Sequence, residues 1–337
     1  MKAINRKLLA SFGANALCLS VLSTAVVAQD PPPTPDPQTG SRQIFAEEFT
    51  RSRPAPNKPP TQVKPGGEVK PGNRISVVKP PNHYRRTARV KAGVTVTVPT
   101  GNTTPPRQTV VATAGLAKVG VTIWRLRAPQ NGDQGARLLI QGGAALVPER
   151  VASDAMLRVN DQVLLSVESP REGYLYIVDR ELFADGTFGE PYLIFPTTRT
   201  RGGANRVSPG RLINIPDPTD QPNFFRLAPT PGLTGQVGEA LSVIVTSMPL
   251  TGFTPSDRPI KLTAAQVAKW EAQWGGDTEL YDLENGAGQT QTEAESEAAQ
   301  TGVKGRMLTQ EEPSPQTVYL VESRNTTGLL VNVLLRY

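Results

Sequence analysis

The chain has 337 residues, with 36 Lys and Arg against 30 Asp and Glu, a formal net charge of +6. It contains a single histidine, His83, and a single cysteine, Cys18. His83 lies in a proline-rich stretch and Cys18 in an apolar leader. Ser-His-Asp and Cys-His catalysis, and His- or Cys-built zinc sites, are therefore excluded from the rest of the chain.

Residues 1–28 read as a secretory signal. Lys2, Arg6 and Lys7 form a positive start, an apolar stretch follows, and Val26-Val27-Ala28 offers the small residues a signal peptidase needs. Leu17 precedes Cys18, so the small residue expected before a lipid-modified cysteine is missing. Polar Asn15, Ser20 and Ser23 weaken the segment as a retained span. The expected product is exported (periplasmic, cell-surface or secreted), has no thiol or disulfide, and has no transmembrane span after signal removal.

Residues 29–115 read as a basic, proline-rich, disordered arm. Sixteen of the 32 prolines fall between Pro31 and Pro106. Proline fixes φ and removes a donor, and the scarcity of large apolar groups denies the segment a core. Residues 29–91 hold 12 basic and 5 acidic residues, so the high isoelectric point belongs to this arm. It suits a stalk, and residues such as Arg51, Arg53, Lys58 and Lys64 suit adhesion to an anionic envelope polymer. No nucleic-acid-binding motif occurs. Two strand-like runs, 94–98 and 109–111, close the arm.

From Leu116 to Tyr337 short apolar runs recur between Gly, Pro, Asn and Asp. Strands are predicted at 119–126, 137–140, 162–169, 173–178, 191–195, 211–215, 224–227, 240–246, 317–322 and 329–335. Val163, Leu165 and Val167 alternate with Ser166 and Glu168, as in a half-buried antiparallel sheet. The last two strands are predicted to pair as a hairpin through 324–328. The expected fold is mainly β: an antiparallel two-sheet, Ig-like sandwich with one packed helix. A chain starting near Ala114 is expected to melt within a few degrees of the mature protein.

The helix is predicted at 263–274. Thr263-Ala264-Ala265-Gln266 reads as a capping box, Val267, Trp270 and Trp274 share one face, and Gly275-Gly276 stops it. The tryptophans read as core anchors. The acidic stretch 277–302 reads as a surface excursion, with a short exposed helix at 292–299.

Two clusters could carry function. Asp179 and Asp185, with Glu181 and Glu190, lie among Tyr174, Tyr176, Phe183 and Phe188, a mixture of acids and sugar-stacking rings suited to glycan chemistry. Arg199, Arg201, Asn205 and Arg206, with Arg211 beyond, lie in a glycine-containing stretch suited to binding an anion. No phosphate-binding loop or nucleophile elbow occurs, and no cofactor is implied.

The order of several segments resembles a known family. They are Gly120-Val121-Thr122-Ile123-Trp124-Arg125-Leu126, Gly173-Tyr174-Leu175-Tyr176-Ile177-Val178-Asp179, Asp185-Gly186, Leu193-Ile194-Phe195-Pro196, Asn205-Arg206-Val207, Ile213-Asn214-Ile215-Pro216 and Gly238-Glu239-Ala240-Leu241-Ser242-Val243-Ile244-Val245. Over about 116–250 the chain resembles the bacterial family known as domain of unknown function 4384. The resemblance implies an accessory sensing or binding module and supplies no catalytic residues. The expected function is a non-catalytic extracytoplasmic binding module on a stalk, whose partner is an envelope protein or anionic envelope polymer. The alternatives are a carboxylate-dependent glycan hydrolase and a purely structural envelope protein.

Overall fold

A computed structural model describes residues 49–56, 84–90, 116–140, 143–300, 305–323 and 325–337. The segment read as a secretory signal, most of the stretch read as an arm and the runs at 94–98 and 109–111 lie outside the described residues. Among the described residues the chain is mainly β and forms two antiparallel sheets.

The first sheet has nine strands: β1 (Tyr84–Val90), β2 (Leu116–Arg127), β3 (Leu138–Leu139), β4 (Ala145–Val151), β5 (Gln162–Glu168), β9 (Ile213–Ile215), β10 (Phe225–Arg226), β13 (Gly276–Leu283) and β14 (Thr317–Ser323). Its order is β1-β13-β14-β2-β4-β3, with β5 against β2 and bearing β9 and β10. The second sheet has six: β6 (Gly173–Phe183), β7 (Tyr192–Phe195), β8 (Arg206–Val207), β11 (Gln236–Thr246), β12 (Ile260–Lys261) and β15 (Gly328–Arg336). Its order is β12-β7-β6-β11-β15, with β8 against β6.

Period-two patterning explains the stacking. Val119, Val121, Val163, Leu165 and Val321 of the first sheet meet Leu175, Ile177, Leu241, Val243, Val331 and Val333 of the second in one continuous core. The outer face of the second sheet is also apolar, with Tyr176, Val178, Ile244 and Leu330. Helix α1 (Ala264–Trp274) covers it with Val267, Trp270 and Trp274. Thr263 Oγ1 accepts from the Gln266 N–H at 3.1 Å. A full capping box forms instead at α2 (Glu293–Ala299), between Thr292 and Glu295.

Several sequence expectations are corrected. β14 pairs with β13 and β2 whereas β15 pairs with β11, so the two strands belong to different sheets and form no hairpin. Ser166 and Glu168 are buried, because the outer face of the first sheet is roofed as well. The described part of the 277–302 stretch, 277–300, is no surface excursion. Gly276–Leu283 is an interior strand, and α2 buries Glu295, Ala298 and Ala299. Its acids misled the reading because Glu295 pairs with Arg150, which is itself buried.

The arm's boundary moves too. Tyr84–Val90 is a strand paired to β13, and Phe49 and Arg53 are buried. Phe49 and Tyr84 cover Tyr281, Val318 and Leu320, which the first sheet turns outward. Two isolated aromatics leave no periodic signal, yet each contributes a large apolar area.

Candidate functional site, an arginine-lined cavity

At the end of the second sheet where β6 begins, a cavity of about 250 Å³ is lined by Glu172, Arg201, Ala204, Arg206, Ser208 and Arg211. β8 fixes one wall, because Val207 and Arg206 pair with Gly173 and Tyr174 at the start of β6. Gly173 leaves no room for a side chain there: a Cβ would lie 2.6 Å from the Thr246 carbonyl oxygen. Arg211 follows a turn at Gly210, whose φ is +77°, and its N–H donates to the Ser208 carbonyl at 3.0 Å.

Arg201 opens a 3-10 turn (Arg201–Gly203) and has a φ of +53°, left-handed backbone that non-glycine residues seldom adopt. Its Nε is sealed from solvent without a hydrogen-bond partner. Burial, then the neighbouring Arg211 guanidinium, holds Arg201 below the usual guanidinium range, with Asp217 acting the other way. Arg206 reaches Glu172 at 3.1 Å, but both side chains are mostly exposed and the pair is weak. The cavity thus presents three guanidinium groups, with Arg201 and Arg211 repelling each other, against one carboxylate, Glu172, which pairs with Arg206. Guanidinium forks match the oxygens of carboxylate, phosphate or sulfate.

The other predicted site residues separate. Arg199 Nη2 donates to the Gln221 carbonyl at 2.5 Å and does not line the cavity. Asn205 Nδ2 donates to the Leu175 carbonyl at 3.0 Å, and the Asn205 carbonyl accepts from the Leu175 N–H at 2.8 Å, so it pins the loop to β6. Tyr176 is buried, its hydroxyl accepting from the Leu250 N–H at 2.8 Å and its ring standing edge-on to Phe253. Tyr174 packs against the core beneath α1. Neither ring forms an open stacking platform.

Asp179 and Asp185 also part. Asp185 is exposed in the turn after β6, where its Oδ1 accepts from the Thr187 N–H and hydroxyl, and these bonds hold its carboxyl below the ordinary range. Asp179 is half-buried on β6, two residues before Glu181, which lies opposite Glu239 of β11. Asp179 Oδ1 is sealed without a partner. Burial, with Glu181 nearby, pushes Asp179 up to about 7. Burial, then the charge of Asp179, pushes Glu239 up to about 8. Glu239 Oε1 accepts from the Tyr337 hydroxyl at 3.1 Å and from Gln236 Nε2 at 2.9 Å.

Glu239, Gln236 and Tyr337 escaped the sequence reading because cross-strand register, not chain proximity, brings them to Asp179. Arg211 was legible as a neighbour of the arginine-rich stretch, whereas Ser208 carried no signal of its own. Among the described residues no group of His, Cys, Asp and Glu is arranged to hold a metal ion. Nor is any described helix long and apolar enough to cross a membrane. No family model, no curated protein and no solved structure matches this chain.

Proposed function

We propose that the chain is a non-catalytic extracytoplasmic binding module whose Arg201–Arg206–Arg211 cavity takes an acidic group of an envelope polymer. The observation that carries this is Arg201, held down by burial and then by the neighbouring Arg211 guanidinium, with its Nε sealed from solvent and unpartnered. Like charges held together in a partly desolvated site cost free energy unless an anion joins them. The secretory signal read at 1–28 and the basic arm support an extracytoplasmic setting, and so does the resemblance to domain of unknown function 4384 over 116–250.

The test is a titration with polygalacturonate (carboxylate), lipoteichoic acid (phosphate) and neutral dextran, for the full chain without its leader. Binding to one acidic polymer is expected, weakening with salt, and Arg211→Gln is expected to weaken it about tenfold, the loss of one charge-assisted bond. Equal binding by Arg211→Gln and the parent, at equal melting temperatures, rules the cavity out.

A second reading has its own support. Asp179 and Glu239 hold protons near neutral pH, as a general acid must. This suits a carboxylate-dependent glycan hydrolase, with Asp185 removed from the set by its turn. Polysaccharide turnover that Asp179→Asn abolishes would favour this reading over the binding module.

A further inference from the structure

We propose that the outer edge of β15 accepts an extended apolar peptide as an added strand, at a site independent of the arginine cavity. β15 ends the second sheet: among the described residues it pairs along its length with β11, and its outer side carries a single bridge, Met156 to Arg336, at its last residue. It lies across from β14, yet the first sheet continues past β14 through β13 and β1. Two strands of the first sheet therefore overhang a place where the second has none.

The backbone of β15 shows which groups face that gap. The Tyr337 N–H donates to the Val237 carbonyl at 3.0 Å, on the β11 side. The Arg336 carbonyl accepts from the Leu157 N–H at 2.8 Å, on the opposite side. Strand alternation then turns the peptide groups of Leu330, Asn332 and Leu334 outward. Among the described residues these groups have no backbone partner on that side. Exposed edges are ordinarily guarded by lysine, proline or a bulge. The β15 sequence Gly-Leu-Leu-Val-Asn-Val-Leu-Leu-Arg has none of these, and its pairing with β11 is regular throughout.

A groove of about 790 Å³ runs along this edge. Its roof is the inward face of β1 and β13, where Ala88, Val90 and Leu280 stand, and Val90 is 56% exposed. Its other flank is the side of α1, with Ala268 and Ala272, and Phe188 beside them. A strand seated here would find largely apolar walls on both of its faces, with Asp154, Glu271 and Arg336 also in the lining. The matching chemistry is a run of about five to seven small or β-branched residues, apolar on both faces, since five residues of strand span roughly 17 Å. The overhang favours a free segment over a second copy of the chain, whose folded sheet edge would have to pass beneath β13 and β1.

The experiment measures amide hydrogen exchange in the full chain, with and without a capped heptapeptide of alternating valine and alanine between terminal lysines. A twin peptide carries N-methyl groups at alternate positions, which removes the backbone donors on one edge but keeps the apolar side chains. Exchange at Leu330, Asn332 and Leu334 is expected to slow about tenfold with the first peptide and not with its twin. Val90→Lys, at an exposed position, is expected to abolish the slowing while the melting temperature holds. Three results overturn the proposal: equal effects of the two peptides, these amides already slow in the dilute free chain because its own residues cover the edge, or slowing that tracks protein concentration because a second copy does.

Discussion

Arg53 and Glu168, 115 residues apart in the chain, meet in a forked ion pair shut off from solvent. Arg53 Nε and Nη2 each lie 2.7 Å from a different oxygen of Glu168. The remaining guanidinium donors go to the carbonyls of Thr309, Glu312 and Pro313, at 3.2, 3.0 and 2.9 Å. One side chain of the basic arm thus ties the outer face of β5 to the loop before β14. Buried charges are tolerated when every donor is used in this way.

Breaking this pair is expected to be severe. Arg53→Ala leaves Glu168 buried and unpaired, which costs about 3–5 kcal/mol, a large share of a typical stability of about 5–15 kcal/mol. Denaturant melts of the variant check it. By the same logic a chain beginning at Ala114 should melt well below the full chain, contrary to the boundary read from sequence. It lacks Phe49, Arg53 and all of β1. Equal melting of the two would show that the 49–90 contacts add nothing.

Trp270→Ala should destabilise by about 3–5 kcal/mol, the range for emptying a large aromatic site. Trp270 and Trp274 are buried and stack with ring centroids 6.4 Å apart, and Trp274 Nε1 donates to Thr327 Oγ1 at 3.2 Å. Any loss of polymer binding in this variant should follow the loss of fold. A melt that stays in place while binding falls would instead make the pair a ligand platform.

Stability should decline as pH rises from about 4 to about 8. Asp179 and Glu239 are raised to about 7 and about 8 from ordinary values of 3.8 and 4.5. The folded state therefore holds protons that the unfolded chain has released. The benefit is complete below about pH 4 and is lost as each group ionises in the folded protein. Glu239→Gln should flatten this slope, read from melting temperatures across the range. A slope unchanged by the substitution would assign the pH dependence to other groups.

Much of the fold could be read from residue patterning. Ten predicted strands have counterparts, because their apolar residues alternate against a core that both sheets share. Where reading failed, a polar or isolated residue was buried by something distant. Ser166 looks solvent-facing by alternation, but its hydroxyl sits between Trp124 Nε1 at 2.7 Å and Asn214 Oδ1 at 2.5 Å. Gly276–Leu283 carries Asp277, Glu279 and Asp282, so it reads as a loop, yet Asp282 accepts from the Thr317 hydroxyl at 2.6 Å across the β13–β14 pair. The anion site was half-legible for a related reason. Local sequence groups Arg199 with Arg201 and Arg206, but the turn at Arg201–Gly203 sends Arg199 to Gln221 and leaves Arg211 to complete the cavity.

The pair Arg150 and Glu295 allows a sharper test of how the polar roof is held. Arg150 also donates to the Ser314 carbonyl at 2.9 Å and stacks over Trp124, 5.2 Å from the ring centroid. Glu295 Oε2 meanwhile accepts from the Thr292 N–H and hydroxyl, both at 2.9 Å, so one carboxylate caps α2 and anchors it to β4. Glu295→Ala should remove both roles, costing about 3–5 kcal/mol for the stranded arginine and about 1 kcal/mol for the cap. Arg150→Met strands the glutamate instead but keeps the cap. The double variant Arg150→Met, Glu295→Ala should be less destabilised than the sum of the two, because no buried charge remains unpaired. Denaturant melts of the three variants measure the coupling. Additive losses would mean that the two side chains hold the roof separately, and that α2 docks through Ala298 and Ala299 alone.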